Sequence, residues 1–160
     1  MKIEYRSIGT IHSPFKRLEE MPIQPSGARG VRGRLEIYPR CAEGLKDLDG
    51  FSHIVVLYHF HRVEQSALIV TPFLDDRPRG VFATRAPTRP NPIGMSVLKL
   101  EAVEKRTLHV TNVDILDGTP VLDIKPYVPA FDQHPADRIG WLEKVSGKAA
   151  HIRSDDRFIK

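Results

Sequence analysis

Residues 51–61 read FSHIVVLYHFH, and this stretch decides the fold class. In an extended chain Ile54, Val56, Tyr58 and Phe60 fall on one side, and Val55 and Leu57 on the other. Apolar, β-branched and aromatic side chains on both faces predict a central, largely buried strand. Working outward, residues 31–37 place Val31, Gly33, Leu35 and Ile37 on one face of a second strand. Residues 5–11 form a third candidate. Residues 96–103 and 107–113 flank Glu104-Lys105-Arg106 and read as a hairpin, and Val121-Leu122-Asp123-Ile124 is a further short strand.

Helical patterning is sparse. Residues 41–48 predict about two turns with Leu45 and Leu48 inward, stopped at Gly50. Residues 137–148 space Ile139, Leu142 and Val145 as a short C-terminal helix would, with Gly147 as its end. Many short strands and few helices predict an all-β barrel or sandwich. The 160 residues suit one domain with its own core. No apolar run approaches the roughly 20 residues that span a bilayer. The opening MKIEY lacks a basic-then-apolar leader, and the single cysteine, Cys41, excludes an internal disulfide and a cysteine-rich metal cluster. These features predict a cytoplasmic protein. The net charge of +4 and pI near 9.3 admit a polyanionic partner without requiring one.

Thirteen prolines are many for this length, and Pro87, Pro90 and Pro92 crowd into APTRPNPIG at 86–94. Proline fixes φ and restricts its predecessor, so this segment is a stiff, irregular loop. It carries Arg85, Arg89, Thr84, Thr88 and Asn91. Stiff donors lose less entropy on gripping an anion or polar ligand, although a rigid connector with solvated arginines has the same composition. Asp114, Asp117 and Asp123 surround Gly118-Thr119-Pro120, ahead of Lys125-Pro126-Tyr127. Asp-Gly is turn chemistry; the alternative is a carboxylate that holds a ligand hydroxyl or takes a proton, with Tyr127 orienting the substrate. His59 and His61 share one face of the central strand and form a possible metal pair, which would make the protein a metal-dependent hydrolase, but the spacing marks no third ligand. No glycine-rich dinucleotide turn and no phosphate-loop lysine motif is present.

Further segments carry a resemblance. IGTIHSP at 8–14, FSH at 51–53, GVFATR at 80–85, RPNPIGMS at 89–96 and DGTPVLDIKPY at 117–127 resemble the TrmO family, S-adenosylmethionine-dependent methyltransferases acting on N6-threonylcarbamoyladenosine beside the anticodon of tRNA. The likeness covers roughly residues 5–130, and 80–96 is its most distinctive part. Family members with a further C-terminal region differ from this sequence, which has about thirty residues beyond Pro129. The resemblance implies a single-sheeted seven-stranded β-barrel over residues 1–142, a polar tail over 143–160, and a homodimer with the cofactor near the subunit interface. It implies S-adenosylmethionine contacts at Gln24, Pro25, Ser26, His61, Arg62, Arg85, Met95 and the run Thr111, Asn112, Val113, Asp114. Catalytic roles fall to Asp114, Asp117 and Tyr127, substrate contacts to Arg89, Asn91 and Lys125, and no metal is expected. The competing class is a non-catalytic RNA-binding β-barrel, which would rely on charge and exposed aromatics.

Overall fold

The computed structural model of the chain describes residues 1–22 and 27–145. Six strands close into a barrel: β1 (Gly9–His12), β2 (Arg32–Ile37), β3 (His53–His59), β6 (Ile93–Glu104), β7 (Thr107–Thr111) and β8 (Pro120–Pro126). Their order around the barrel is β1-β2-β7-β6-β3-β8, every pairing antiparallel. The closed sheet thus has six strands where seven were expected. Two remaining short strands, β4 (Ile69–Val70) and β5 (Arg79–Gly80), pair with each other as a separate ribbon.

The alternation in 51–61 holds in three dimensions. Ile54, Val56 and Tyr58 point into the core, while Val55, Leu57 and His59 are half-buried on the outer face. β3 lies between β6 and β8, so both of its edges are paired. The interior is filled by Ile11, Leu35, Ile37, Leu98, Leu108 and Val110, with Val113, Ile115 and Val121 contributed by β8 and the segment before it. Burying a side chain of this size is worth roughly 1.5–3 kcal/mol relative to exposure.

Curvature comes from identifiable devices. The register of β6 against β7 shifts between Leu100 and Ala102, and that of β3 against β8 shifts between Leu57 and Tyr58. Each bulge adds a residue to one strand and increases its bend, which a small barrel needs in order to close. The expected hairpin forms, with Glu104 opposite Thr107 and Lys105 in the left-handed region at φ 55°.

Helices are short, as expected. Residues Pro39–Leu45 and Leu48–Gly50 are 3-10 turns that bury Leu45 and Leu48. Among the described residues the one α-helical turn is Pro129–Asp132. The expected C-terminal helix is a 3-10 segment, Gly140–Lys144; residues 146–148 of that expectation, like most of the expected tail, lie outside the described residues. Trp141 anchors the segment: its indole N–H donates to the Ala83 carbonyl at 2.8 Å, and Arg79 stacks over its ring at 5.6 Å.

One glycine of the barrel wall is dictated by packing. Gly94 stands opposite Tyr58 in the β3–β6 register, and a Cβ there would meet the Tyr58 ring at 2.2 Å and Phe60 at 2.9 Å. Both rings are rigid and pack edge to face at 5.5 Å, so neither can yield cheaply. Gly94→Ala is therefore expected to destabilise the fold by on the order of 3 kcal/mol. Urea unfolding checks this, and a change within about 0.5 kcal/mol, as for an exposed position, would contradict the packing account.

Candidate active site

The end of the barrel where β3 finishes and β6 begins gathers most of the chemistry. Alternation along β6 turns Gly94, Ser96 and Leu98 inward and leaves Ile93 and Met95 outside. Ser96 is thus a hydroxyl in an otherwise apolar inward row, only 2% exposed. Its Oγ donates to Asp114 Oδ1 at 2.8 Å, and the Tyr58 hydroxyl lies 3.1 Å from the same Oγ. With Ser96 donating to the carboxylate, Tyr58 donates to Ser96. Tyr58, Ser96 and Asp114 are all buried and form a directed chain ending on a carboxyl group.

Burial disfavours the charged carboxylate and pushes the Asp114 carboxyl up to about 6; the Ser96 hydrogen bond and the Arg85 charge pull the other way. The Tyr58 phenol is raised too, first by burial and then by the Asp114 charge. Asp114 is carried by residues 112–119, which connect β7 to β8. Asn112 opens this segment in the left-handed region at φ 67°, and its side-chain oxygen accepts from the Gly30 N–H at 2.9 Å. Val113 is fully buried and its N–H donates to the Val31 carbonyl at 3.2 Å. The segment is thereby fixed to the residues that follow the early loop. Gln24, Pro25 and Ser26 of that loop lie outside the described residues.

His61 leaves the end of β3 toward the same segment, its Nδ1 3.3 Å from Thr119 Oγ1, which itself donates to the Leu116 carbonyl at 2.7 Å. Partial burial, then the charges of Arg62 and His59, lower the His61 pKa, so the imidazole is neutral at pH 7. Among the described residues, no group of three His, Cys, Asp or Glu side chains suits a metal ion, so His59 and His61 gain no third ligand.

The proline-rich loop faces this end. Arg89 braces it from within, donating to the carbonyls of Thr84 and Ala86 at 3.1 and 3.2 Å. Arg85 and Asn91 are exposed, as is Arg62. Thr88 is buried, and its hydroxyl has no hydrogen-bond partner among the described residues. A buried donor left unmade costs about 1–3 kcal/mol.

Other expected residues lie elsewhere. Asp117 sits on the outer side of the 112–119 segment, accepting the Ser13 N–H at 3.0 Å and pairing with Lys16 at 2.6 Å. Its carboxyl stays below the usual range: burial opposes this, but Lys16, the Ser13 amide and His12 outweigh it. Met95 is half exposed on the outer face, and Thr111 donates to Glu101 at 2.8 Å. Lys125 pairs with Asp123 at 2.6 Å, and Tyr127 packs edge-on against His53, at the opposite end of β3 from Tyr58. Asp114 therefore lies within reach of the Arg85 charge, and His61 meets the same connecting segment at Thr119, whereas Asp117, Lys125 and Tyr127 point elsewhere. Tyr58 and Ser96 were not singled out from the sequence as site residues. A hydroxyl in the inward row of a strand is the signal that marks Ser96.

The raised Asp114 pKa has a consequence for stability. The folded chain binds a proton that the unfolded chain, with a carboxyl near 3.8, has released. Stability therefore falls as pH rises from about 4 to about 6, and the cost persists above 6 at on the order of 2–3 kcal/mol. Asp114→Asn is expected to raise the melting temperature at pH 7.5 by on the order of 5 °C. A marked drop on calorimetry would mean that the ionised carboxylate stabilises the fold.

Residues 10–133 match the family model of the tRNA-methyltransferase O N-terminal domain. A probable S-adenosyl-L-methionine-binding protein of Pyrococcus abyssi is 53% identical over 158 residues, 99% of this chain and 86% of that one. The tRNA (adenine(37)-N6)-methyltransferase of Escherichia coli is 37% identical over 142 residues, 82% of this chain and 60% of that enzyme. The crystal structure of TrmO from Pseudomonas aeruginosa superposes with a TM-score of 0.74 at 41% identity, over 88% of this chain and 63% of that one. The chain thus spans most of its archaeal relative and about three fifths of the two bacterial proteins. With a matched family model, a shared fold and these identities, the chain belongs to the tRNA-methyltransferase O N-terminal domain family.

Proposed function

We propose that this protein transfers a methyl group from S-adenosylmethionine to N6 of an adenosine beside the anticodon of tRNA, with threonylcarbamoyladenosine as the acceptor nucleoside. The observation that carries the reading is the buried Tyr58–Ser96–Asp114 chain within reach of the Arg85 charge, in a family whose relatives include S-adenosylmethionine-binding proteins and a tRNA methyltransferase. Cofactor contacts are proposed at Gln24, Pro25 and Ser26, at His61, Arg62, Arg85 and Met95, and along 111–114. A neutral His61 and a cationic Arg85 fit a ligand bearing both a carboxylate and sugar hydroxyls. When bound, that ligand supplies an electrophilic methyl group on a positively charged sulfur.

The remaining chemistry belongs to the chain. The acceptor nitrogen is urea-like and keeps its proton until attack, so a base must take the proton as the N–C bond forms and the C–S bond breaks. Asp114 is the proposed base, since its carboxyl near 6 is ionised at pH 7 yet basic enough to accept a proton. Asp117, held by Lys16 and the Ser13 amide, is the weaker candidate. Ser96 and Tyr58 orient the Asp114 carboxylate. Arg89, by bracing the proline-rich loop, and Asn91 beside it would shape the acceptor pocket, where Arg85 meets the threonyl carboxylate or the cofactor. Lys125 and Tyr127 stand apart from this group and would contact substrate only at its margin.

The barrel domain is proposed to run over 1–142, supported by the Trp141 anchor, with 143–160 as a tail. A cytoplasmic location follows from the proposed substrate; among the described residues no helix is long and apolar enough to cross a membrane. A homodimer is proposed as well. Leu68, Ile69 and Phe82 are 65%, 64% and 76% exposed around the β4–β5 ribbon, an apolar surface next to the proline-rich loop that a second subunit would cover. Such an interface would bury on the order of 800 Å² per partner. Sedimentation should find a dimer, and a fully active monomer would refute a shared site.

Titration calorimetry with S-adenosylmethionine is the first test, since a plain RNA-binding barrel or a hydrolase gives no heat. Asp114→Asn should lose roughly 10²- to 10⁴-fold in methylation of threonylcarbamoylated tRNA at saturating cofactor, with the fold intact. The parent rate should rise with pH through about 6 and then level, and Ser96→Ala, lacking the donor that favours the carboxylate, should move that limb to higher pH. Arg85→Lys should weaken binding or turnover by about ten- to a hundred-fold with the fold intact. An Asp114→Asn enzyme with normal turnover would remove the base.

A further inference from the structure

A second concave feature lies on the outer wall of the barrel. It is a groove of about 400 Å³ lined by His12, Lys16, Arg32, Arg34, His109 and Asp117, among others. Its floor is ordered by the sheet register. His12 of β1 stands opposite Arg34 of β2, and Arg34 stands opposite His109 of β7, so the three form one row across three strands. Neighbouring strands are about 4.8 Å apart, so the row spans roughly 10 Å. Arg32 lies two residues along β2, on the same face and about 6.6 Å away.

The carboxylates around this groove are already engaged. Asp117 is held by Lys16 at 2.6 Å, Glu36 by His12 at 3.4 Å and Glu104 by His109 at 3.2 Å. Glu101 takes Lys99 at 3.0 Å and Thr111 at 2.8 Å, with Arg32 acting on it only as a distant charge. Arg32 and Arg34 are both exposed, and neither guanidinium has a hydrogen bond or ion pair among the described residues. The lining itself is net positive, with Lys16, Arg32 and Arg34 against Asp117 alone, and its two guanidinium groups are spaced along one strand with no side-chain partner. The same 112–119 segment forms the wall between groove and site: Asp114 faces inward to Ser96 while Asp117 faces the groove. A ligand in the groove is therefore adjacent to the proposed acceptor pocket.

We infer that the His12–Arg34–His109 groove, with Arg32, is a docking track for the phosphodiester backbone of the RNA whose base enters the site at Asp114. The inference rests on the proposed function and extends it from the reacting base to the flanking strand. A polynucleotide fits because it offers successive anions at a spacing comparable with the two arginines, and because one chain can occupy both sides of the wall. Phosphate contacts of this kind position an RNA without reading its sequence.

The test uses the full chain and an unmodified tRNA transcript, with affinity measured by fluorescence anisotropy across a salt series. Each phosphate contact contributes roughly 0.7–0.9 to the slope of log K against log salt. Arg32→Ala/Arg34→Ala should lower that slope by about 2 and weaken binding at low salt by at least tenfold, alike for different tRNA sequences. Cofactor binding by calorimetry and the melting temperature should be unchanged. Arg34→Lys, which keeps a charge for phosphate, should retain most of the affinity, while Arg34→Glu should lose more than Arg34→Ala. An unchanged slope and affinity in the double variant would overturn the track, and so would Arg34→Lys failing as badly as Arg34→Ala. If the parent binds the cofactor but no tRNA, the RNA reading itself falls and the track with it; if tRNA binds normally without Arg32 and Arg34, only the track falls. An acidic peptide that competes for the groove when tRNA does not would likewise overturn it.

Discussion

The contact on which this molecule depends is the Tyr58 ring lying against Gly94 between β3 and β6. It closes the sheet where the barrel is most crowded, and it directs the phenol hydroxyl toward Ser96 rather than solvent. Through Ser96 it also fixes a buried carboxyl that would otherwise be free to choose rotamers or to recruit water. Barrel closure and carboxylate placement are thus one constraint. A side chain at position 94 would shift the ring, and a shifted ring would break the hydrogen-bonded chain.

The 112–119 segment carries the second consequence. It is sewn to the end of β1 by Gly118 N–H to Ile11 O at 2.9 Å, Asp117 N–H to Phe15 O at 2.9 Å and Ser13 Oγ to Ile115 O at 2.6 Å. A connection tied on both sides can present different side chains to two surfaces without yielding to either. The two carboxylates of the segment accordingly have opposite electrostatics. Asp114 is raised by burial, and Asp117 is held down by a lysine and an amide. Two acids three residues apart are told apart by environment alone.

Much of this was legible in the sequence, for physical reasons. Period-two alternation is forced by the pleat, so residues 31–37 and 51–61 announced strands, and Glu104-Lys105-Arg106 announced a hairpin. The number of strands closing the barrel was less legible, because pairing partners depend on bulges at Leu57/Tyr58 and Leu100/Ala102 that no local pattern encodes. Among the candidate residues, Asp114 and Asp117 looked alike in one dimension, since each is an aspartate beside a turn. Only the inward row of β6 and the lysine at position 16 separate them. Tyr58 was read correctly as core, yet its hydroxyl needed a partner, and the partner lies 38 residues away in sequence. Tyr127 and Lys125 were legible as residues but not as locations, because strand length, not spacing, sends them to the other end of β3.

The proline-rich loop bears on the rate of transfer. Displacement at a methyl carbon has little covalent chemistry for side chains to perform, so catalysis by this chain would rest on holding two partners in line. A loop that had to order itself on binding would lose part of that advantage to conformational entropy. Here the ordering is done in advance: three prolines fix φ, Arg89 ties two carbonyls of the loop together, and Trp141 grips Ala83 just before it. Behind the loop, Val70, Val81 and Ala86 make a small apolar cluster of their own, with Phe73 packed against it. The loop is therefore a second rigid wall rather than a lid, and Arg85 stands on it facing a carboxyl whose own position is set by the barrel. Rigidity on both sides of the gap is what in-line transfer demands, and each side obtains it from a different part of the chain.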